Sequence, residues 1–273
     1  MANPLFKRHE EGMTDGARSL KPAAKINNML LNQFTSDILA STQEEILPKK
    51  FSPALRDRDA ELLIRQVVEV LEEDIVLGYI HPRERLVEDE LRARFGLKRH
   101  VARQVLFELE RMGLVERKKN IGALVKSYTI KEVTDLYAVR EILETNCILQ
   151  IALPVATRNL DELIAIQHRH DAAVAESNLR NAFRANLAFH KTLFQLSENA
   201  ALTAAIEDFA QRTHAIRSVS VTYPDYLESA RRQHWEMIDA LRANDRERLI
   251  TLSRMHLGPS RDLYIEQQRR RTG

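Results

Sequence analysis

Apolar positions recur at helical spacing along most of this chain, and strand-like alternation is confined to one short stretch. Leu62, Val67, Val70, Leu71 and Ile75 form a broad face that predicts a helix over 58–77, stopped by Gly78 and followed by a turn at Pro82. A short helix over 88–95 is closed by Gly96. A third, over 99–112, carries Val101, Val105, Leu106, Leu109 and Met112 on its inner face and is closed by Gly113. Leu114, Val115 and Glu116 then alternate into Arg117, Lys118 and Lys119. Asn120 and Gly122 make a turn, and 123–126 returns as the second strand of a hairpin. Over 129–267 the pattern is helical throughout, broken at Pro154, Asn178, Glu198–Asn199, Tyr223–Pro224 and Asn244–Asp245, which predicts a bundle of about six helices. Ahead of all this, Met29, Leu30, Phe34, Ile38 and Leu39 suggest one amphipathic helix within 26–47, ended by Pro48.

The expected fold is therefore mainly α, a winged helix-turn-helix with a small β-hairpin followed by an all-α bundle. Its parts are an arm at 1–53, the helix-turn-helix module at 54–128, the helical domain at 129–267 and a frayed basic tail at 268–273. Composition agrees: 273 residues with 44% hydrophobic and 29% charged side chains describe a globular chain with room for about two domains. The single cysteine, Cys147, excludes an internal disulfide framework and Cys-rich zinc sites, and fits a reducing compartment. The absence of a long apolar run argues against a membrane span and, with no secretory leader pattern, for a cytoplasmic protein.

A net charge of only +2 excludes a basic coat over the whole molecule, so any nucleic-acid site must be local. Such a site is visible. Two short helices joined by a tight turn, the second followed by a hairpin, are the layout whose recognition helix enters the major groove by its N-terminus. Here that terminus carries Lys98, Arg99 and His100, with Arg103 one turn further on the same face. Between Lys98 and Lys119 seven Lys or Arg stand against three Glu. Arg suits bidentate contact with guanine, while Lys118, Lys119 and Asn120 on the hairpin suit phosphate or minor-groove contact. The plainer reading of any one of these stretches is a solvated basic helix; the ordered set of helix, turn, helix and basic wing favours double-stranded DNA.

The helical domain holds six of the nine histidines. Asn186 and His190 are four residues apart and share a helix face. His234 and His256 lie at comparable distances either side of the break at 243–245, so at about 1.5 Å of rise per residue they reach similar heights in an antiparallel pair. Three imidazoles then converge inside a bundle, a place where such folds build metal sites, and neutral imidazole favours zinc, nickel, iron or copper. The alternative is that each is a satisfied polar residue. A helical metalloenzyme would show paired Glu-x-x-His motifs around this set, and none includes these histidines; nor is there a nucleophile with base and orienter. His214 and Arg217 share a face and are expected at the surface.

The run GYIHPRERLVEDELRARFGLKRHVARQVLFELERMGLVERKKNIGALV, over 78–125, resembles the DNA-binding domain of GntR-family bacterial repressors. Arg99, Arg103 and the wing Gly122 match the family pattern. Arg83 stands where the family usually has Gly, Lys98 where it has Ser or Thr, Val101 for Pro and Gln104 for Glu. The segments DLYAVREILE (135–144), NLAFH (186–190) and the run from His234 to His256 resemble the FCD ligand-binding domain of the FadR subfamily, so that the resemblance covers about 56–266. It implies a homodimer on an inverted-repeat operator, a small carboxylate effector and a divalent metal, zinc foremost, held by His190, His234 and His256. Metal-binding members carry Asp at the position of Asn186, which leaves Asn186 as a weak ligand or an effector contact. The resemblance also makes Arg140, with Tyr137 one turn before it, the candidate for the effector carboxylate, the alternative being an ion pair with Glu144. A metal-free DNA-binding sensor of another ligand is the other reading within this class.

Overall fold

The computed structural model describes residues 57–118 and 122–272. The amphipathic helix expected within 26–47, and Lys119 and Asn120 of the wing, lie outside the described residues. Helix α1 (Asp57–Val76) leads to strand β1 (Arg85–Leu86), then α2 (Glu88–Phe95), α3 (Arg99–Arg111), and strands β2 (Val115–Lys118) and β3 (Gly122–Val125). The hairpin is part of a three-stranded antiparallel sheet in the order β1-β3-β2, with Arg85 opposite Leu124 and Val115 opposite Val125. A two-residue strand such as β1 is too short to produce an alternation signal, which is why periodicity alone predicts two strands there. On α1 the core face is Leu63, Val67, Leu71 and Ile75; Leu62, expected on it, is 55% exposed. The α3 face is as predicted, with Val105 and Leu109 fully buried.

Gly96, at φ 66°, caps α2, and Lys98 in extended conformation opens α3. Arg83 takes φ 71°, the left-handed conformation that glycine adopts without strain, at the position where the resemblance predicts Gly. The turn it forms is held by the Arg83 N–H donating to the Val125 carbonyl at 2.8 Å.

The helical part comprises α4 (Ile130–Gln150), α5 (Thr157–Ala175), α6 (Leu179–Gln195), α7 (Ala200–Arg212), the single turn α8 (His214–Arg217), α9 (Pro224–Arg242) and α10 (Arg246–Thr272). Each predicted break falls between helices, and the local chemistry explains why. Thr129 and Glu132 close a capping box at the start of α4, and the Asn178 and Asn199 side chains accept from the third backbone N–H beyond them. Two features depart from the prediction: a further break at Thr213 separates α8 from α7, and α10 continues through Thr272, past the expected end at 267.

Helix α4 packs on α10 and α7, α5 on α6 and α9, and α9 on α10. One apolar cluster joins α1, α3 and the sheet to Val133 and Tyr137 of α4, Ala215 and Ile216 of α8 and Leu257 and Tyr264 of α10, so it crosses the expected boundary at 128/129. Polar contacts cross it as well. The Tyr128 hydroxyl sits between the carbonyls of Gly113 (2.9 Å) and Arg212 (2.8 Å), and Glu73 of α1 takes both Arg180 and Arg184 of α6. Asp74 holds Arg94 of α2 at 2.5 Å and Arg180 at 3.1 Å. The DNA-reading helices are thereby seated on the helical part through α1.

Candidate functional site: a basic helix end and a histidine chamber

At the start of α3, Lys98, Arg99, His100 and Arg103 are all exposed, and no acidic residue occupies the helix's first turn. Cations at a helix N-terminus oppose the backbone dipole by a few tenths of a kcal/mol to about 1 kcal/mol each, an arrangement that an incoming anion relieves. The partial counter-charge comes from α2. Glu88 accepts from Arg99 Nε at 2.8 Å with one carboxylate oxygen and from Arg103 Nε at 3.0 Å with the other. The Arg99 hydrogen bond, foremost, holds the Glu88 carboxyl below its ordinary range. Both guanidinium groups are presented side by side, more than half exposed. On the wing, Lys118 pairs with Glu116 at 2.8 Å, and Gly122 is exposed at φ 102°.

In the helical part the three predicted histidines meet. His190 Nε2 of α6 lies 3.0 Å from His256 Nε2 of α10 and 3.3 Å from His234 Nε2 of α9, and the three ligand atoms fall within 4.8 Å of one another. The outer nitrogens of two of them are fixed. His234 Nδ1 faces Gln167 Oε1 at 2.9 Å, and His256 Nδ1 faces Gln233 Oε1 at 2.8 Å. The Gln167 amide is oriented in turn, because its Nε2 donates to Asp171 Oδ1 and Trp235 Nε1 donates to Asp171 Oδ2. A carbonyl oxygen can only accept, so both histidines carry their proton on Nδ1 and turn an Nε2 lone pair inward. Burial foremost drives all three pKa values down, that of His256 to about 3, so the imidazoles are neutral at pH 7.

Tetrahedral zinc with nitrogen ligands at about 2.0–2.1 Å needs neighbouring nitrogens about 3.3 Å apart. The inward lone pairs of His234 and His256 and the separations from His190 Nε2 fit that requirement, the three atoms lying within 4.8 Å of one another would have to close further around an ion, and the outer glutamines are the kind of support metal-bound histidines use. Asn186, one turn before His190, is buried, and its Nδ2 has no hydrogen-bond partner among the described residues.

Arg140 and Tyr137 sit deep in the same part of the fold and are engaged. Arg140 donates from Nε and Nη2 to Glu144 Oε1 (3.0 and 2.8 Å) and from Nη1 to Thr213 Oγ1 (3.1 Å), while the Tyr137 hydroxyl meets Ser260 Oγ at 2.8 Å. The ion pair weighed in the sequence is therefore formed, but buried. Burial pushes the Glu144 carboxyl up, with Arg140 pulling against it.

Two family models match the chain: "Bacterial regulatory proteins, gntR family" over residues 63–125 and "FCD domain" over residues 135–258. The chain belongs to the GntR family. Its order of a GntR domain followed by an FCD domain is that of the FadR subfamily, and it is a DNA-binding transcriptional regulator, not an enzyme. Among curated relatives, the HTH-type transcriptional repressor RspR of Escherichia coli K12 is 23% identical over 193 residues, covering 71% of this chain and 85% of RspR. Of solved structures, E. coli McbR/YncC is similar in fold with a TM-score of 0.66 at 17% identity, covering 76% of this chain and 98% of that one. A GntR regulator from Rhodococcus sp. RHA1 gives 0.62 at 20%, covering 74% and 97%. No helix among the described residues is long and apolar enough to cross a membrane.

Several residues of this GntR-family chain escaped sequence reasoning. Glu88 has no local signal, since it meets Arg99 and Arg103 across a turn. Gln167 and Gln233 are ordinary helical glutamines until the bundle closes. His214 and Arg217 correct the expectation of a surface position: both are buried, His214 to 1% and Arg217 to 9% exposure, because α8 is a single turn inserted between α1 and α10. A four-residue helix has too few positions for periodicity to reveal which face is inward.

Proposed function

We propose that this regulator is a repressor that binds an inverted-repeat operator as a homodimer in the cytoplasm and is controlled by a small carboxylate bound in its FCD domain. Lys98, Arg99, His100 and Arg103 contact bases and phosphates in the major groove, and Lys118, Lys119, Asn120 and Gly122 form the wing contact. The exposed apolar residues Ile142 and Leu149, two turns apart on α4, with Met255 on α10, suit pairing with a second copy. RspR, described as a repressor, supports the direction of control.

The observation that carries the effector reading is the convergence of the Nε2 atoms of three imidazoles inside the helical part, two of them with the lone pair turned inward. His190, His234 and His256 hold a divalent ion there, zinc by donor chemistry, with Asn186 adjacent. The ion supplies open positions for effector oxygens. Arg140 and Tyr137 shape the chamber wall, burial keeps the imidazoles neutral, and the glutamines aim His234 and His256. Operator selection from a random DNA pool, followed by titration of that operator with zinc-loaded and zinc-free protein in the presence of simple carboxylates, tests the reading. Operator affinity unmoved by every combination of metal and carboxylate rules out control through this chamber.

A further inference from the structure

Helix α3 carries more than cations on its outward face. Four of its apolar residues, Val101, Val105, Leu106 and Leu109, point inward and are at most 6% exposed, whereas Phe107 is 48% exposed. A lone exposed aromatic is ordinary on a protein surface. Phe107 differs by its place: it lies one turn beyond Arg103 and Gln104 and two turns beyond His100, in the middle of the face that presents them. Gln104 is exposed as well. Its Nε2 donates to Glu108 Oε1 at 3.4 Å, the long limit of such a bond, and its amide oxygen has no partner among the described residues.

The charge along α3 marks how far a duplex can extend over that face. From Lys98 to Phe107 every ionisable residue is basic, namely Lys98, Arg99, His100 and Arg103, and the first carboxylates of the helix are Glu108 and Glu110. Carboxylates repel phosphates, so the stretch open to DNA closes just past Phe107. At ~1.5 Å of rise per residue it spans about 14 Å of helix axis, the length of about four base-pair steps. Arg99 and Arg103, both held by Glu88, occupy the first turn and a half. The next turn of the same face offers a neutral amide and an aromatic ring. Those are side-chain types that recognise an A·T pair in the major groove: the amide donates to adenine N7 and accepts from its N6 amino group, and the ring packs on the thymine methyl.

We propose that Gln104 and Phe107 are base-reading residues that select A·T pairs beside the guanines contacted by Arg99 and Arg103. This rests on the major-groove reading given above and adds to it the part of the operator that the arginines do not specify. Gln104 pairs with adenine through Nε2 and Oε1, exchanging its long contact to Glu108 for a bidentate one, and the Phe107 ring covers a neighbouring thymine methyl. Neither contact neutralises a phosphate. Both therefore contribute sequence preference without changing the salt dependence of binding.

The test uses the full chain and duplexes that wild type selects from a random pool. The selected operator should place A·T pairs next to guanines. Q104A and F107A, both at exposed positions, should keep the wild-type Tm and the wild-type salt slope. Q104A should lose about fivefold to a hundredfold in affinity for the selected operator, and little on a duplex whose adjacent A·T pairs are replaced by G·C. Exchanging thymine for deoxyuridine removes only the methyl group. At the contacted pair it should weaken wild type by about fourfold, the worth of one buried methyl, and leave F107A unmoved. A selected operator with guanines but no adjacent A·T preference overturns the proposal. So do a wild type indifferent to deoxyuridine throughout the site and a Q104A that loses equally on both duplexes. An F107A that weakens all sequences alike, or changes the oligomeric state, makes Phe107 a packing residue and overturns its part. R99A and R103A, measured in parallel, separate the two readings: affinity lost there with no effect at Gln104 and Phe107 refutes this inference alone, while unchanged affinity in both arginine variants removes the major-groove reading and this inference with it.

Discussion

His214 Nδ1 lies 2.6 Å from the Glu72 carboxylate, and this buried contact ties the single-turn helix α8 to α1, the helix on which the DNA-reading module is built. Burial, opposed by Glu72, drives the His214 pKa down, so the neutral ring donates its Nδ1 proton to the carboxylate, while Nε2 has no partner among the described residues. With Nε2 already unmet, the ring depends on Glu72 for its one side-chain hydrogen bond. E72A would leave a buried donor without an acceptor, a loss of about 1–3 kcal/mol. Thermal unfolding should show a Tm several degrees lower, with zinc binding retained because no histidine of the chamber is touched. An unchanged Tm would mean that the contact contributes nothing to the seating of α1.

At the other end of the module, Glu88 holds Arg99 and Arg103 side by side. R99A and R103A should each reduce specific operator affinity by about 1–3 kcal/mol while leaving the fold intact. E88Q should act oppositely on non-specific DNA: it frees both guanidinium groups from a competing carboxylate, so affinity for random duplex should rise and its salt dependence steepen. Replacing Lys118 and Lys119 together should weaken binding to all sequences and flatten the salt slope. Filter binding or anisotropy over a salt series distinguishes these outcomes, and a loss confined to the cognate site in the lysine double variant would contradict a phosphate role for the wing.

Arg83 connects what was legible in the sequence with what was not. The resemblance places a glycine there, and φ 71° supplies the reason, yet nothing in the periodicity of this chain announces a left-handed residue. Helix breaks were legible because Asn178, Asn199 and Thr129 act on their own helix starts, a local chemistry. The pairing of His234 with His256 was legible because two helices joined by a short turn must run antiparallel. Glu88, Gln167 and Glu72 were not, since each acquires its role from a residue that only tertiary packing brings near. R83G should raise stability by about 0.5–1 kcal/mol, relief of left-handed strain offset in part by the extra freedom of glycine in the unfolded chain. Denaturant titration at constant m-value measures it, and a destabilised R83G would show that the side chain contributes more than its conformation costs.

Acid should destabilise the metal-free protein before its carboxylates titrate. His170, His190, His214, His234 and His256 all have folded pKa values lowered by burial, that of His256 to about 3. In the unfolded chain each titrates near about 6.5. The unfolded state therefore binds more protons below that value, so the stability these neutral rings contribute is present above about pH 6.5 and is lost as pH falls toward the folded values. Tm measured in chelator should be level near pH 7.5 and decline from about pH 6.5 downward. A flat profile to about pH 5 would show that the rings are solvated and not enclosed.

Metal binding is the sharpest test of the chamber, because Asn186 pulls in two directions. Three neutral imidazoles, two of them with fixed Nδ1 partners, should hold about one divalent ion per chain, and H234A should lose it together with the added Tm that binding supplies. Asn186 presents an amide where metal-binding relatives have a carboxylate, and an amide oxygen is the poorer ligand for a cation. N186D should therefore tighten zinc, read as a lower free-zinc concentration at half-saturation in a competition titration with a chelating dye. The same substitution adds a negative charge one turn from His190 and removes the Nδ2 donor, so citrate or malate should bind the zinc-loaded variant more weakly than wild type. Opposite movements of metal and carboxylate affinity in one variant are what a shared chamber requires. Elemental analysis that finds no metal in either wild type or N186D, after purification without chelators or metal-affinity resin, would reduce the three histidines to the lining of a polar cavity.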